Sequence, residues 1–203
     1  MDFTNDTALE SARLHELFVR YTHPYPHERL CVRVRYSRRS AFSGSCYYRE
    51  GRIFINLGRR NRYPYVICTH VARARSFGTH WRREAYKLTV TDAYELALFI
   101  YRHELFHHLV HAAGRCVRRK ESMCDRFATR VLVDHFACPL LDSSGSLVAR
   151  AAWDFQDLDG FVSAAAPPIL RNEPAPLAAE IGPLFAAIPR AAAIRPIPVT
   201  IRL

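Results

Sequence analysis

The sequence predicts an α+β fold. A small, mostly antiparallel sheet packs on a long helix bearing His103-Glu104-x-x-His107, with a second ligand-bearing helix and an extended C-terminal tail. Three observations predict this. Short alternating runs rich in Val, Ile and Tyr occupy 30–90, punctuated by turn residues. A stretch without Pro or Gly follows over 93–113, with apolar residues at helical spacing. After Gly114 a second helical pattern covers 121–136 and ends before Pro139.

In chain order, Thr7-Ala-Leu-Glu10 has the form of a capping box, and Leu14, Leu17, Phe18 and Tyr21 recur at helical spacing. A first helix is expected over roughly 7–21. Leu30 to Tyr36 alternates, with Leu30, Val32, Val34 and Tyr36 on one face and Arg33 and Arg35 on the other. Residues 38–45 are expected to form a polar loop. Glu50-Gly51 separates 46–48 from 52–57 and predicts a hairpin. Residues 65–69 and 85–90 are further strand candidates, and 73–83 is expected as a basic loop. Asp92-Ala-Tyr-Glu95 is a second capping box, and Gly114 suits the C-terminal stop of the long helix.

Composition narrows the class. A chain of 203 residues, 49% hydrophobic, has enough apolar surface for one core. No run of 18 apolar residues occurs, so no membrane partner is expected. The polar, acidic first residues lack the pattern of a secretory signal, so a cytoplasmic protein is expected. The six cysteines show no Cys-x-x-Cys pairing and are expected as free thiols. Cys116 and Cys124 flank the metal motif and are possible soft ligands. The net charge is +10, and 29–87 carries 15 basic residues against only Glu50 and Glu84. That surface suits DNA or another acidic partner, with Arg59, Arg60 and Arg62 as candidate nucleic-acid contacts, although a solvated Arg-rich face accounts for it equally.

The chemistry lies in His103, Glu104 and His107. On a helix, positions 103 and 107 stand about 40° apart, so both imidazoles can reach one ion. Glu104 is turned about 100° from His103, which suits a carboxylate beside an attacking water better than a ligand. A chance match to so short a motif is expected at roughly the 2% level, so context decides. The context is an apolar stripe of Leu96, Phe99, Ile100, Phe106 and Val110 that includes both histidines. Imidazoles in such a setting need strong partners, and one Zn²⁺ per chain is the economical one.

Glu121 and Asp125 stand at i and i+4 on the second helix. Glu121 can complete a His₂Glu set, and Asp125 can accept the second N–H of a ligand imidazole. The long helix climbs about 9 Å from His107 to its end. The seven residues 114–120 reach up to about 23 Å if extended, so the return is feasible. Asp125 and His111 rank behind Glu121 as third ligand. His108 faces elsewhere, and His135 is about 21 Å along its helix from Glu121.

These residues carry a resemblance. A His-Glu-x-x-His helix preceded by a small sheet and followed by Glu121-x-x-Cys124-Asp125-x-Phe127-Ala128 resembles the zincin metallopeptidases, and within them the ImmA/IrrE-like group. The resemblance covers roughly 85–136; Cys124 stands where that group usually has Ala. It implies a zincin-like domain over 1–140, with zinc on His103, His107 and Glu121 and with Glu104 as general base. The implied activity is endopeptidase cleavage of a protein substrate, such as a transcriptional repressor. SprT-like proteases, which act on DNA-associated proteins, are the near alternative, but the His-Gly pattern of their third ligand is missing here.

An extended substrate is expected to add to an edge strand, either 53–57 or 85–90. A Tyr, His or Arg is expected to stabilise the oxyanion. The competing expectation is a zincin-like binding protein with structural zinc, engaging nucleic acid or another partner. Residues 141–163, with Trp153, Phe155, Leu158 and Phe161, are expected as a packed extension. The Ala/Pro-rich 164–203 is expected as a wrapping or partly disordered arm.

Overall fold

The computed structural model describes residues 1–76 and 78–163. The chain opens with β1 (Asp2–Asn5), α1 (Ser11–Thr22) and β2 (Cys31–Ser37). Here α1 acts as a crossover, so β1 and β2 pair in parallel. The helix starts later than Thr7. Thr7 donates its hydroxyl to Asn5 Oδ1 at 2.7 Å and accepts from the Leu9 N–H at 3.2 Å, a local turn that competes with helix initiation. Glu10 occupies the N-cap without a side-chain bond.

The hairpin at Gly51 forms as expected from β3 (Phe42–Tyr47) and β4 (Arg52–Gly58). Gly51 has φ +63°, and a Cβ there would stand 2.9 Å from the Arg29 carbonyl oxygen, so the turn requires glycine. Part of β3 falls in the segment expected as a loop. Phe42-Ser-Gly-Ser has little strand propensity of its own but is held in register, with Gly44 opposite Ile55 and Ser45 opposite Phe54.

β4 inserts between β2 and β3, giving the order β1-β2-β4-β3. The sheet is therefore mixed: β1–β2 and β2–β4 are parallel and only β3–β4 is antiparallel. The expected antiparallel character holds for the smaller sheets. In these, β8 (Tyr86–Val90) lies between β5 (Tyr65–Thr69) and β9 (Leu140–Leu141), while β6 (Arg75–Ser76) and β7 (Trp81–Arg82) form a short ribbon inside the basic 73–83 segment. Register aligns Val32 with Ile53 and Val34 with Ile55, and all four are buried. Arg33 and Arg35 point away from the core, as the alternation predicts, and pair with Asp6 and Asn56 at 2.6 Å.

The long helix α2 (Ala93–Ala112) packs on β3 and β4, with α1 beside it and α3 (Glu121–Phe136) along its length. Every residue from Glu95 to His107 is buried, so the helix is enclosed rather than amphipathic. Even Arg102 is covered, its guanidinium 3.7 Å over the Phe127 ring. The Asp92 carboxylate accepts from the N–H groups of Tyr94 and Glu95 at 2.8 Å. Glu95 reaches back to Thr91 rather than to the cap residue, accepting from its N–H and hydroxyl. At the other end Gly114 N–H bonds the His111 carbonyl and Arg115 N–H the Val110 carbonyl, a Schellman stop with Gly114 at φ +69°.

The 141–163 extension contains α4 (Arg150–Trp153) and α5 (Leu158–Ser163), and it buries Trp153 and Leu158. Arg130 of α3 fastens it through Asp154 at 2.7 Å and Asp159 at 3.0 Å. The expected arm over 164–203 lies outside the described residues. Among those described, no helix is long and apolar enough to cross a membrane.

Asp92 satisfies two otherwise orphaned amides at the start of the helix on which the site depends. Asp92→Ala is therefore expected to destabilise the fold by about 1–2 kcal/mol, read as a lower thermal unfolding midpoint. A midpoint equal to wild type would show that the cap contributes nothing.

Candidate metal centre

The site forms where the second half of α2 faces the first turns of α3. His103 and His107 share one face of α2, with ring centroids 5.2 Å apart. The Schellman turn sends the chain back so that Glu121, the first residue of α3, returns to both rings. Its carboxylate lies 3.2 Å from His103 Nε2 through Oε2 and 3.4 Å from His107 Nε2 through Oε1. Ligands held about 2.1 Å from a tetrahedral zinc stand about 3.4 Å apart. Glu121 thus reaches both Nε2 atoms, one oxygen to each, a spacing compatible with side chains that share a metal ion. The histidine side chains are 9% and 11% exposed and Glu121 is 46% exposed, so the site opens on the carboxylate side.

Asp125, one turn further along α3, takes the position expected of it. His103 Nδ1 pairs with Asp125 Oδ1 at 2.9 Å, which leaves Nε2 facing Glu121 Oε2. Asp125 Oδ2 accepts the backbone N–H of His70 at 2.7 Å, and the His70 ring stands 3.4 Å from the same oxygen. This carboxylate thus ties α3 to α2 and to the end of β5.

The electrostatics favour a cation. Burial by itself opposes a charged His103, yet its bonds to Asp125 and Glu121 push its pKa up to about 10. Burial likewise opposes ionised Asp125, but the His103 and His70 hydrogen bonds bring it down to about 2. His103 and then His107 hold Glu121 well below the usual carboxylate range. Two imidazoles thus meet three carboxylates, Glu104, Glu121 and Asp125, at a site that is buried except on its Glu121 side.

Glu104 does not join this hydrogen-bonded set. It is buried under β3, and a Cβ built on Gly44 would lie 2.2 Å from its Oε1. Gly44 is what lets the strand pass so close. Burial first, then the charge of Glu121, raises the Glu104 pKa against the pull of His103 and His107. That shift moves a carboxylate toward the range useful for proton transfer near neutrality.

Several neighbours carry no sequence signal. His70 follows a short strand and is placed only by the Asp125 bonds. Tyr48 stacks on His111 at 5.2 Å; burial and the nearby charges of Cys46, Glu104 and Glu121 raise its pKa, so it stays an O–H donor. His111 is therefore engaged away from the ligand set, and His135 packs on Tyr21. The expected edge strands are corrected: β4 and β8 are both interior to their sheets. The strand beside Glu104 that lies at a sheet edge is β3.

Cys124 is the nearest soft donor. It is fully buried, and its sulfur lies within 4.8 Å of a nitrogen of each histidine, whereas Cys116 is exposed. This His₂Cys grouping competes with the His₂Glu set. The two carboxylate oxygens of Glu121 stand 3.2 and 3.4 Å from the Nε2 atoms of the same two histidines. Burial, reinforced by Glu121 and Asp125, raises the Cys124 pKa strongly.

Arg59, Arg60 and Arg62 are exposed on the connection from β4 to β5, with Arg59 over the Tyr36 ring at 4.5 Å. Among the described residues, none of them bonds to a metal-site side chain. No family model, curated protein or solved structure matches the chain in comparisons with known proteins.

Asp125→Asn removes the anionic partner of His103 while keeping its shape. Metal affinity, measured by competition with a chromogenic chelator, is expected to fall about 10–100-fold. Unchanged affinity would mean that Asp125 has no part in orienting His103.

Proposed function

We propose that the chain is a zinc-dependent endopeptidase of the zincin type, similar to the ImmA/IrrE-like group, acting on a protein substrate such as a transcriptional repressor or DNA-associated protein. The observation that carries this reading is the convergence of Glu121 on the Nε2 atoms of both His103 and His107, with Glu104 held apart from them beneath an edge strand.

His103, His107 and Glu121 hold the ion, and Asp125 fixes the His103 tautomer. Bound zinc supplies a Lewis acid that polarises the scissile carbonyl and acidifies water. Glu104 accepts the proton of the attacking water and delivers it to the leaving amine nitrogen. Its burial keeps bulk water from competing and raises its basicity. The free edge of β3 offers backbone hydrogen bonds to an extended peptide, which places a scissile bond over Glu104. Tyr48, near the charges of Glu104 and Glu121, and His70, beside Asp125, are the candidate donors to the developing oxyanion.

Cys124 favours a second reading. If its thiolate joined His103, His107 and Glu121, the coordination sphere would be closed, as in structural zinc sites. The chain would then be a zincin-like protein that binds a partner or nucleic acid through its Arg-rich surface, including Arg59, Arg60 and Arg62. Such a site has no use for the buried Glu104, which tilts the balance to the enzyme.

Glu104→Gln separates the two. It is expected to keep one zinc per chain and to lose proteolysis of an unstructured protein substrate by at least about 100-fold. Full activity in this variant would remove Glu104 as the base.

A further inference from the structure

A second concentration of charge lies beside α3, at residues that are not part of the metal-site cluster. Arg73, Arg83, Arg119 and Arg126 border one open cavity of about 320 Å³, with Phe155 and Ser122 completing its wall. None of its lining residues is a metal ligand. Arg126 is 2% exposed, an unusual position for a guanidinium.

Three of the four guanidinium groups are held by neutral partners. Arg126 donates to the Val71 carbonyl at 2.8 Å and to Gln156 Oε1. Arg83 donates to the Ala72 carbonyl at 2.8 Å. Arg73 and Arg126 both lie against Phe155, at 3.9 and 4.2 Å from its ring centre. Among the described residues, none of the four forms an ion pair with a carboxylate. The nearest acids are engaged elsewhere: Asp125 by His103 and His70, and Asp154 by Arg130 and Arg150. Burial, with the like charges of Arg83 and Arg73, brings the Arg126 pKa down to about 10. Collecting four like charges around one cavity, one of them buried, is costly unless an anion neutralises them.

We propose that this cavity binds a phosphate monoester group. Four positive charges exceed what one carboxylate balances, and guanidinium forks match the oxygens of a phosphate in pairs. Ser122, in the first turn of α3, adds a hydroxyl at the positive end of a helix dipole. The cavity is the size of a small-molecule site, so the group belongs either to a small phosphorylated ligand or to a phosphorylated side chain that reaches in.

The test is calorimetric titration of the full chain with inorganic phosphate at fixed ionic strength, beside Arg73→Ala/Arg119→Ala. Both residues are exposed, and circular dichroism checks that the double variant is folded. Repeating the titration on chelator-treated protein keeps phosphate held by a metal out of the result. Saturable binding that weakens at least about tenfold in the double variant is expected. A phosphoserine peptide that binds at least tenfold more tightly than phosphate would assign the group to a protein; equal or weaker binding would assign it to a small ligand. Absence of saturable phosphate binding, or equal affinity in the folded double variant, overturns the proposal.

Discussion

The arrangement depends on one constraint: α2 is enclosed, yet it carries His103, Glu104 and His107 within its buried length. Burying two imidazoles and a carboxylate without partners costs several kcal/mol. The fold meets that cost from α3, whose first two turns bring Glu121 and Asp125 to the histidines. The Schellman turn at Gly114 and the six residues after it exist, in effect, to return the chain to this place. The apolar packing of Phe106 on Phe127, with ring centroids 4.8 Å apart, fixes the two helices against each other below the polar cluster. Site and core are thus one packing problem, with the same two helices as its solution.

Much of this was legible because helical periodicity is local. The 3.6-residue repeat placed His103 and His107 together, and the i, i+4 spacing placed Glu121 and Asp125 on one face of α3. The caps at Asp92 and Gly114 were equally local. Alternation gave the buried face of β2, with Leu30, Val32 and Val34 inward, but not its pairing with β4.

What the sequence hid was non-local. β1 has one apolar residue, Phe3, within its four positions, and it forms because α1 carries the chain back beside β2. The insertion of β4 between β2 and β3 puts a polar, Gly-containing strand at the edge beside Glu104, and no propensity scale selects Phe42–Tyr47 for that role. Gly44 matters only because a buried carboxylate lies beneath it. His70 and Tyr48 enter the site by tertiary contact alone. The Arg cavity draws on the segment after β5, the segment before β8, the turn before α3, α3 itself and the 141–163 extension, five places with no common motif.

The charge pattern also takes on structure. Some basic residues of 29–87 lie on the outer sheet face, as Arg33 and Arg35 do, while Arg73 and Arg83 gather with Arg119 and Arg126 around one cavity. The central claim is narrower than any of these: Glu121, not Cys124, is the third ligand, and a coordination position is left for chemistry. Zinc content per chain, measured by mass spectrometry after dialysis in wild type, Glu121→Ala and Cys124→Ala, tests it most directly. The account predicts about one zinc in wild type and Cys124→Ala, with marked loss in Glu121→Ala. Loss in Cys124→Ala with full retention in Glu121→Ala would contradict it.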